Sequence, residues 1–598
     1  MPHYKAPVED LGFVLRELVD IEQISKMPGY EDASIDVVEA VLSAAGKFAS
    51  EVLAPLNRPG DQQPPVLLDG VVTTMEGWKD AYQQFIEAGW TSLIFDTAFG
   101  GQGLPRAVGT AVQEMWDASN MSFGLCPLLT QAASAAISHC GSEEQKEIYL
   151  AKLVSGEWAG TMNLTEPQAG SDLSAVRTRA VPTAAGHYLI TGQKIFITYG
   201  EHDLTDNIIH LVLARTPDAP EGVGGISLFL VPKFIPDEQG APGERNDLLC
   251  VALEHKLGIH GSPTAVMSYG ENGGATGYLV GEENRGLEYM FIMMNLARHA
   301  VGIEGYAIAE RAYQRALNYA RERTQGRAVG GGDGGRVSII AHPDVARMLL
   351  DMKCRIEAMR AVSLYAAAAA DKSLRHPDEV ERAQSQRTVD VLIPIVKGWS
   401  TEVGTWVAST GVQVHGGMGF IEETGAAQHY RDVRITTIYE GTTGIQAADL
   451  VGRKLVRDGG RMVTELIEQM DKEVADIRQL ATGPVLNIST AASDSLNRLS
   501  SATAWILESA GEDPRIPYAA AFQYLMLWGG VAGGWQMTKA AAAAASGLES
   551  GKGDPDFCKG KLLSCRHYAE HVLPETEGYY RAVVSGSTAV LEAAAGGL

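Results

Sequence analysis

Apolar positions change their period along this chain, and each change marks a change of element type. Residues 1–35 form a polar, weakly periodic arm. From Ile35 to about Gly156 the spacing is helical, in Ala-rich and Leu-rich runs broken by turns such as Phe99-Gly100-Gly101-Gln102-Gly103-Leu104-Pro105. The pattern shifts near Thr161. Residues 187–199 read as two short strands joined at Thr191-Gly192. Residues 208–214 read as another strand, and Ile226, Leu228 and Leu230 alternate as in a half-buried one. Helical spacing returns after Gly286. Tyr306, Ala309, Tyr313, Leu317 and Ala320 share one helix face, and Val345, Met348, Met352, Ile356 and Met359 share another, the methionines serving as core packing. Gly330-Gly331-Gly332-Asp333-Gly334-Gly335 lacks a preceding strand and a following Lys-Ser/Thr, so it reads as a flexible surface loop and not a phosphate loop. The chain is helical again from about Asp458, and no internal repeat is present. The expected fold is mostly α with a β insert. After the arm come an N-terminal helical bundle (36–160), a middle β domain (161–285), a C-terminal helical bundle (286–457) and a helical extension (458–598).

Size and charge narrow the class. A chain of 598 residues is too long for one core, and roughly three to five structural units are expected. A net charge of −24 repels nucleic acid and anionic lipid, although a local basic cluster can still hold an anionic substrate. The six cysteines form no CxxC pair, which favours reduced thiols. No uninterrupted apolar run reaches bilayer-spanning length, and the first residues lack the apolar stretch of a signal peptide. A cytoplasmic enzyme without a membrane span is the expectation.

The most informative segment is Ile438-Tyr439-Glu440-Gly441-Thr442-Thr443-Gly444-Ile445-Gln446. It sets one carboxylate at a turn where a backbone N–H can point into a pocket. That pair suits proton removal next to a carbonyl: the carboxylate takes the proton and the amide stabilises charge on the oxygen. Alone, an acidic residue before Gly-Thr-Thr is more often a turn residue or a helix cap.

Four further segments carry a family resemblance. Met162-Asn163-Leu164-Thr165-Glu166-Pro167-Gln168-Ala169-Gly170-Ser171-Asp172 resembles the flavin-contacting segment of acyl-CoA dehydrogenases, and Gly192-Gln193-Lys194-Ile195-Phe196-Ile197-Thr198 the family's next flavin-contacting strand. Arg323-Thr324-Gln325-Gly326 is similar to its arginine-containing helix end, and Gln413-Val414-His415-Gly416-Gly417-Met418-Gly419-Phe420 to its Gly-rich cofactor loop. With the Glu440 segment they follow the family's order, over residues 40–455. Each segment alone admits a plain structural reading as turn, strand, helix end or helix stop. One departure is that Gly326 follows Gln325 where many members have Phe, which weakens the Gln325 assignment.

The residue chemistry suits a flavin. Leu164, Thr165 and Thr198 offer amides and hydroxyls to the polar edge of an isoalloxazine, and Phe196 offers a ring to cover one face. Gly170 permits close backbone approach, and the Ser171 hydroxyl suits a phosphate or a substrate group. Arg323 and the Gly416-Gly417 amides suit a pyrophosphate. The resemblance further implies cofactor contacts from Met162, Gln325, Gln413 and Thr442, and substrate contacts from Ser171, Arg298, Tyr439 and Gly441. It implies FAD as cofactor, an acyl-CoA substrate and electron-transferring flavoprotein as electron acceptor. It also implies that Arg323 and the Gly-rich loop reach the FAD of a neighbouring subunit, so the protein is at least a homodimer.

In family terms Glu440 abstracts the α-proton while hydride passes from the β-carbon to flavin N5. Burial by the acyl chain should raise the Glu440 pKa toward neutrality. One branch supplies its base from a helix position matching Ala297 in Asn295-Leu296-Ala297-Arg298; alanine closes that route. Arg298 either organises the pocket and contacts CoA or bridges a nearby acid. The Tyr4-Lys5-Ala6-Pro7 start and the long C-terminus resemble the extended group acting on 3-methylmercaptopropionyl-CoA and long-chain acyl-CoAs. An oxidase using O2, or a flavin-free protein on the same fold, remains an alternative. His567-Tyr568-Ala569-Glu570-His571 matches an H-x-x-E-H zinc pattern beside Cys565, but reads as a surface or interface helix, with no metal expected. His415 and His429 read as packing residues or flavin-side hydrogen-bond groups.

Overall fold

The computed structural model describes residues 4–330 and 335–597, so Gly331 to Gly334 of the expected glycine loop lie outside the described residues. The chain forms two compact units, each assembled from distant segments. One holds residues 47–104 and 119–297, the other residues 1–46, 105–118 and 298–598.

The first unit carries an eight-stranded sheet. Its strands run in the order Leu248–Leu253, Thr264–Tyr269, Tyr188–Thr198, Ala275–Leu279, Ser227–Pro232, Asn207–Ala214, Trp158–Asn163, with Arg179–Pro182 also paired to Tyr188–Thr198. Trp158–Asn163 and Asn207–Ala214 are parallel; the other pairs are antiparallel. Two strand readings need correction. Residues 188–198 form one continuous strand, not two. Gly192 serves close approach there, since a Cβ would lie 2.6 Å from Thr178 Oγ1. Ser227–Pro232 is buried at every position, because Phe229 and Val231 enter the sheet core on the face opposite Leu228 and Leu230. A small hairpin, Val66–Leu68 with Val71–Thr73, interrupts the helical stretch before the sheet.

The second unit is helical. The expected polar arm is instead folded: helix Val8–Phe13 runs into a wide π turn, Val14–Leu18, then Ile21–Ile24, and Tyr4, Leu11, Leu15 and Ile24 are buried. The π turn shifts the apolar positions off a 3.6-residue period, which is why the segment looked aperiodic. Long helices Gly286–Glu322, Pro343–Arg375 and Glu379–His415 carry the expected apolar faces. In the extension, helix Ile516–Ser550 lies against Glu379–His415 and against the short helix Thr443–Asp449. The approach is close enough that a Cβ at Gly529 would sit 2.0 Å from Trp399 Cγ. Buried Arg360 ties the unit together, its guanidinium reaching Glu114 (2.9 Å), Asp10 (2.5 Å) and Glu310 (2.9 Å).

Helix Arg106–Cys140 is long and apolar enough to cross a membrane by composition, although polar residues interrupt its apolar run. It is kinked at Asn120 (φ −160°, ψ 84°), and 83% of its most apolar window is buried inside the protein, as in a core helix.

Candidate active site

Glu440 stands in the turn before helix Thr443–Asp449, whose N-cap is Thr442, its Oγ1 accepting from Ile445 N–H at 3.2 Å. Glu440 has φ +54° and Gly441 φ +87°, two successive left-handed residues. For a glutamate this conformation costs about 1–2 kcal/mol, so surrounding groups must impose it. Two buried side chains do so. Lys397 Nζ donates to the Gly441 carbonyl at 2.6 Å, and Gln446 Nε2 donates to the Glu440 and Gly441 carbonyls at 3.2 and 3.4 Å. With both carbonyls drawn inward, the Glu440 N–H has no acceptor among the described residues. It is the kind of donor an oxyanion needs.

The Glu440 carboxyl is recessed, and burial pushes it up to about 7, with the Arg298 and Lys397 cations pulling the other way. A carboxyl poised near neutrality is matched to proton abstraction. Burial lowers Lys397 to about 8 against the pull of Glu440 and Glu304. Arg298 is buried, its guanidinium 3.9 Å from Asp449, which favours the ion-bridge reading over a substrate contact. Tyr439 likewise turns its hydroxyl inward, donating to Oε2 of the buried Glu304 carboxyl rather than outward to a substrate.

The flavin-type segments of the sheet unit are rigidly mounted. Glu166 and Ala169 close a tight turn by exchanging both backbone bonds. Buried Lys194 clamps it, donating to Glu166 Oε1 at 2.8 Å and to the Leu164 carbonyl at 2.9 Å. Glu166 also accepts from Thr178 Oγ1 and from the Thr178 and Arg177 N–H groups, and the whole set holds it down at about 2. Phe196 sits where strand pairing skips a residue; at φ +61° its ring is 59% exposed, as a ring-covering side chain requires. The hydroxyls of Thr165, Ser171 and Thr198 have no partner among the described residues and are at least partly exposed, and Gly170 has open space at its Cα. Three free hydroxyls and an exposed ring on these segments are the groups that the polar edge and one face of a flavin require. Met162 differs: its side chain is buried in the sheet, leaving only its backbone for a cofactor.

In the helical unit, Tyr319 stacks on His415 at 4.4 Å, which brings the Arg323 helix end beside the Gly-rich loop. Arg323, Gln325, Gln413, Gly416 and Gly417 are all exposed. The Gly416 N–H is already donated to the Gln413 carbonyl as a helix cap, so the pair of amides expected for a pyrophosphate is reduced at that position. His415 and His429 are buried, and burial lowers both, as packing residues.

The H-x-x-E-H segment is only partly on the surface, with Glu570 and His571 exposed and Tyr568 and Ala569 buried. His567 is buried, with Nε2 2.8 Å from Asp351 Oδ1, and it stacks on His571. Asp351, Cys354 and His567 could offer ligand atoms within 4.8 Å of one another. Arg347 takes the other Asp351 oxygen at 2.8 Å, and burial pushes the Cys354 thiol well up, so the group is set up for ion pairing and against a cation.

The residues missed in the sequence are Lys397, Glu304, Gln446 and Lys194. The available signal was a lone charged residue inside an apolar helical run, as in Ile395-Val396-Lys397-Gly398-Trp399 and Val301-Gly302-Ile303-Glu304, since lysine and glutamate are rarely buried unpaired.

Family models match most of the chain. Residues 38–157, 161–270 and 284–455 match the N-terminal, middle and C-terminal domains of acyl-CoA dehydrogenases. Residues 466–594 match a domain described as acetyl-CoA dehydrogenase C-terminal like. The chain is 50% identical to a 3-methylmercaptopropionyl-CoA dehydrogenase of Ruegeria pomeroyi, over 99% of both chains. It is 34% identical to the broad-specificity linear acyl-CoA dehydrogenase FadE5 of Mycobacterium tuberculosis, over 96% of each. Its fold is shared with an acyl-CoA dehydrogenase complexed with FAD from Bacillus anthracis (TM-score 0.74, 20% identity, 94% of this chain and 90% of that one). With every family domain matched and half of all residues identical to a dehydrogenase of the same length, this chain belongs to the acyl-CoA dehydrogenase family of oxidoreductases.

Proposed function

We propose that the protein oxidises the α,β bond of an acyl-CoA thioester to a trans-2-enoyl-CoA, with Glu440 as the base and FAD as the bound cofactor. The first candidate substrate is 3-methylmercaptopropionyl-CoA, on the strength of the 50% identical relative, with fatty acyl-CoAs next. The observation that carries the reading is a recessed carboxyl raised to about 7 beside its own unpaired N–H. The thioester oxygen would accept from the Glu440 N–H, which acidifies the α-carbon; the Glu440 carboxylate then takes the α-proton. Thr165, Thr198 and Leu164 would hold the ring edge of the cofactor and Phe196 one face, while Arg323 would reach the phosphates of a neighbouring subunit's cofactor. FAD supplies the acceptor for the hydride leaving the β-carbon.

Electron-transferring flavoprotein is the proposed electron acceptor and a homodimer the proposed assembly, in the cytoplasm. Hydrogen peroxide forming at the rate of substrate loss would instead assign an oxidase. The test of the base is anaerobic flavin bleaching by 3-methylmercaptopropionyl-CoA and a series of straight-chain acyl-CoAs. Glu440→Gln, loaded with FAD, should bleach roughly 10²–10⁴-fold more slowly. Bleaching of that variant at the normal rate rejects Glu440 as the base.

A further inference from the structure

Glu304 is a fully buried acid in an otherwise apolar stretch of helix Gly286–Glu322. Such a group is costly unless neighbours use it. Its Oε2 accepts from the hydroxyl of Tyr439, the residue immediately before Glu440, while its Oε1 has no partner among the described residues. Its backbone cannot retreat. A Cβ on Gly305 would lie 2.8 Å from the Ser400 carbonyl, and one on Gly302 2.6 Å from Val396 Cγ1, so this helix is locked against Glu379–His415. The charged and titratable groups facing Glu304 are Glu440 and Tyr439 from the turn, Lys397 from Glu379–His415, and Asp117 from the helix that begins at Arg106.

We propose that Glu304 is a positioning residue for the Glu440 base: through the Tyr439 hydroxyl it fixes the turn that carries Glu440, and by keeping its proton it withholds a second negative charge from the reacting site. The inference rests on Glu440 being the base. Burial pushes the Glu304 carboxyl up to about 8, and the neighbouring Glu440 charge adds to the rise, with Tyr439 and Lys397 opposing. Two cations, Arg298 and Lys397, act on Glu440, and a charge there opposes one at Glu304, so the first negative charge of the pair belongs at Glu440. Removal of the α-proton builds negative charge on the thioester, and an anion at Glu304 opposes that build-up. Activity should rise as Glu440 ionises and fall as Glu304 does.

The test follows flavin reduction by 3-methylmercaptopropionyl-CoA in the FAD-loaded protein, anaerobically, between about pH 6 and 9.5. The wild type should give a bell-shaped profile. Glu304→Gln keeps an oxygen for Tyr439 and should lose only the falling limb. Tyr439→Phe keeps the acid but cuts the tie, so it should slow reduction and retain the falling limb. Glu304→Ala should slow reduction roughly ten- to hundredfold. A second readout needs no turnover. Folded Glu304 keeps its proton to about 8 while the unfolded chain loses it near the usual carboxylate range, so the wild type loses stability as pH rises through that window. Glu304→Gln should flatten this fall in Tm. A Glu304→Gln profile that keeps both limbs, with a pH-independent Tm difference, overturns the inference even if Glu440→Gln is inactive. Normal reduction by Glu440→Gln rejects the base reading itself.

Discussion

At the scale of the residue, the site depends on charged side chains placed where water cannot reach them. Lys194 and Glu166 are both buried, and Glu166 is held at about 2 chiefly by the Lys194 charge and donated hydrogen bonds, against the cost of burial. Its folded value lies below its unfolded one. The pair's contribution is therefore complete above the usual carboxylate range and is lost as pH falls toward about 2. Lys194→Met should destabilise the protein by about 3–5 kcal/mol at neutral pH, because it strands a buried carboxylate, and it should release the Leu164 carbonyl. The double change Lys194→Met/Glu166→Gln should recover part of that loss in chemical denaturation; no recovery would mean the charge pair is not what the single variant broke. Glu440 was legible in the sequence because its turn motif is local. Its partners were not, because Lys397 lies 43 positions earlier and Glu304 on yet another helix, and only folding makes them neighbours.

At the scale of the element, the C-terminal extension forms a wall behind the Glu440 turn. Helix Ile516–Ser550 meets the helix carrying Lys397 and the helix following Glu440. Leu525 lies against Gly398, and Gly529 against the ring of Trp399. Gly529→Ala would drive a methyl group to 2.0 Å from Trp399, so it should lower Tm by several degrees and slow flavin reduction by displacing Lys397. Gly511→Ala, with open space at its Cα and helical surroundings, should leave both unchanged or raise Tm slightly. Equal effects of the two changes would remove the extension from the catalytic support. Helices with regular apolar spacing were readable in advance. The N-terminal segment was not, since its π turn breaks the period on which such reading depends.

At the scale of the whole molecule, the helical unit presents an apolar face that a monomer would leave in water. Phe420 is 86% exposed, and Met418 and Ile421 beside it are about half-exposed, on the same loop as Gly416 and Gly417. We propose that this loop meets a neighbouring subunit in the homodimer. Phe420→Asp should shift the mass in light scattering from dimer to monomer and lower FAD retention after gel filtration. A variant that stays dimeric with full FAD content would assign the contact elsewhere. The net charge of −24 fits this picture, since like net charge keeps separate assemblies apart.

The sequence by itself determined the order of helical and β regions, the turn that carries the proposed base and the likeness to a flavin enzyme, because periodicity and turn motifs are properties of adjacent residues. Only the tertiary structure decided how the base is tuned. Burial removes water from Glu440, Glu304 and Lys397 together, and the Coulomb interactions that set their protonation act across distances in space that the chain's numbering does not record.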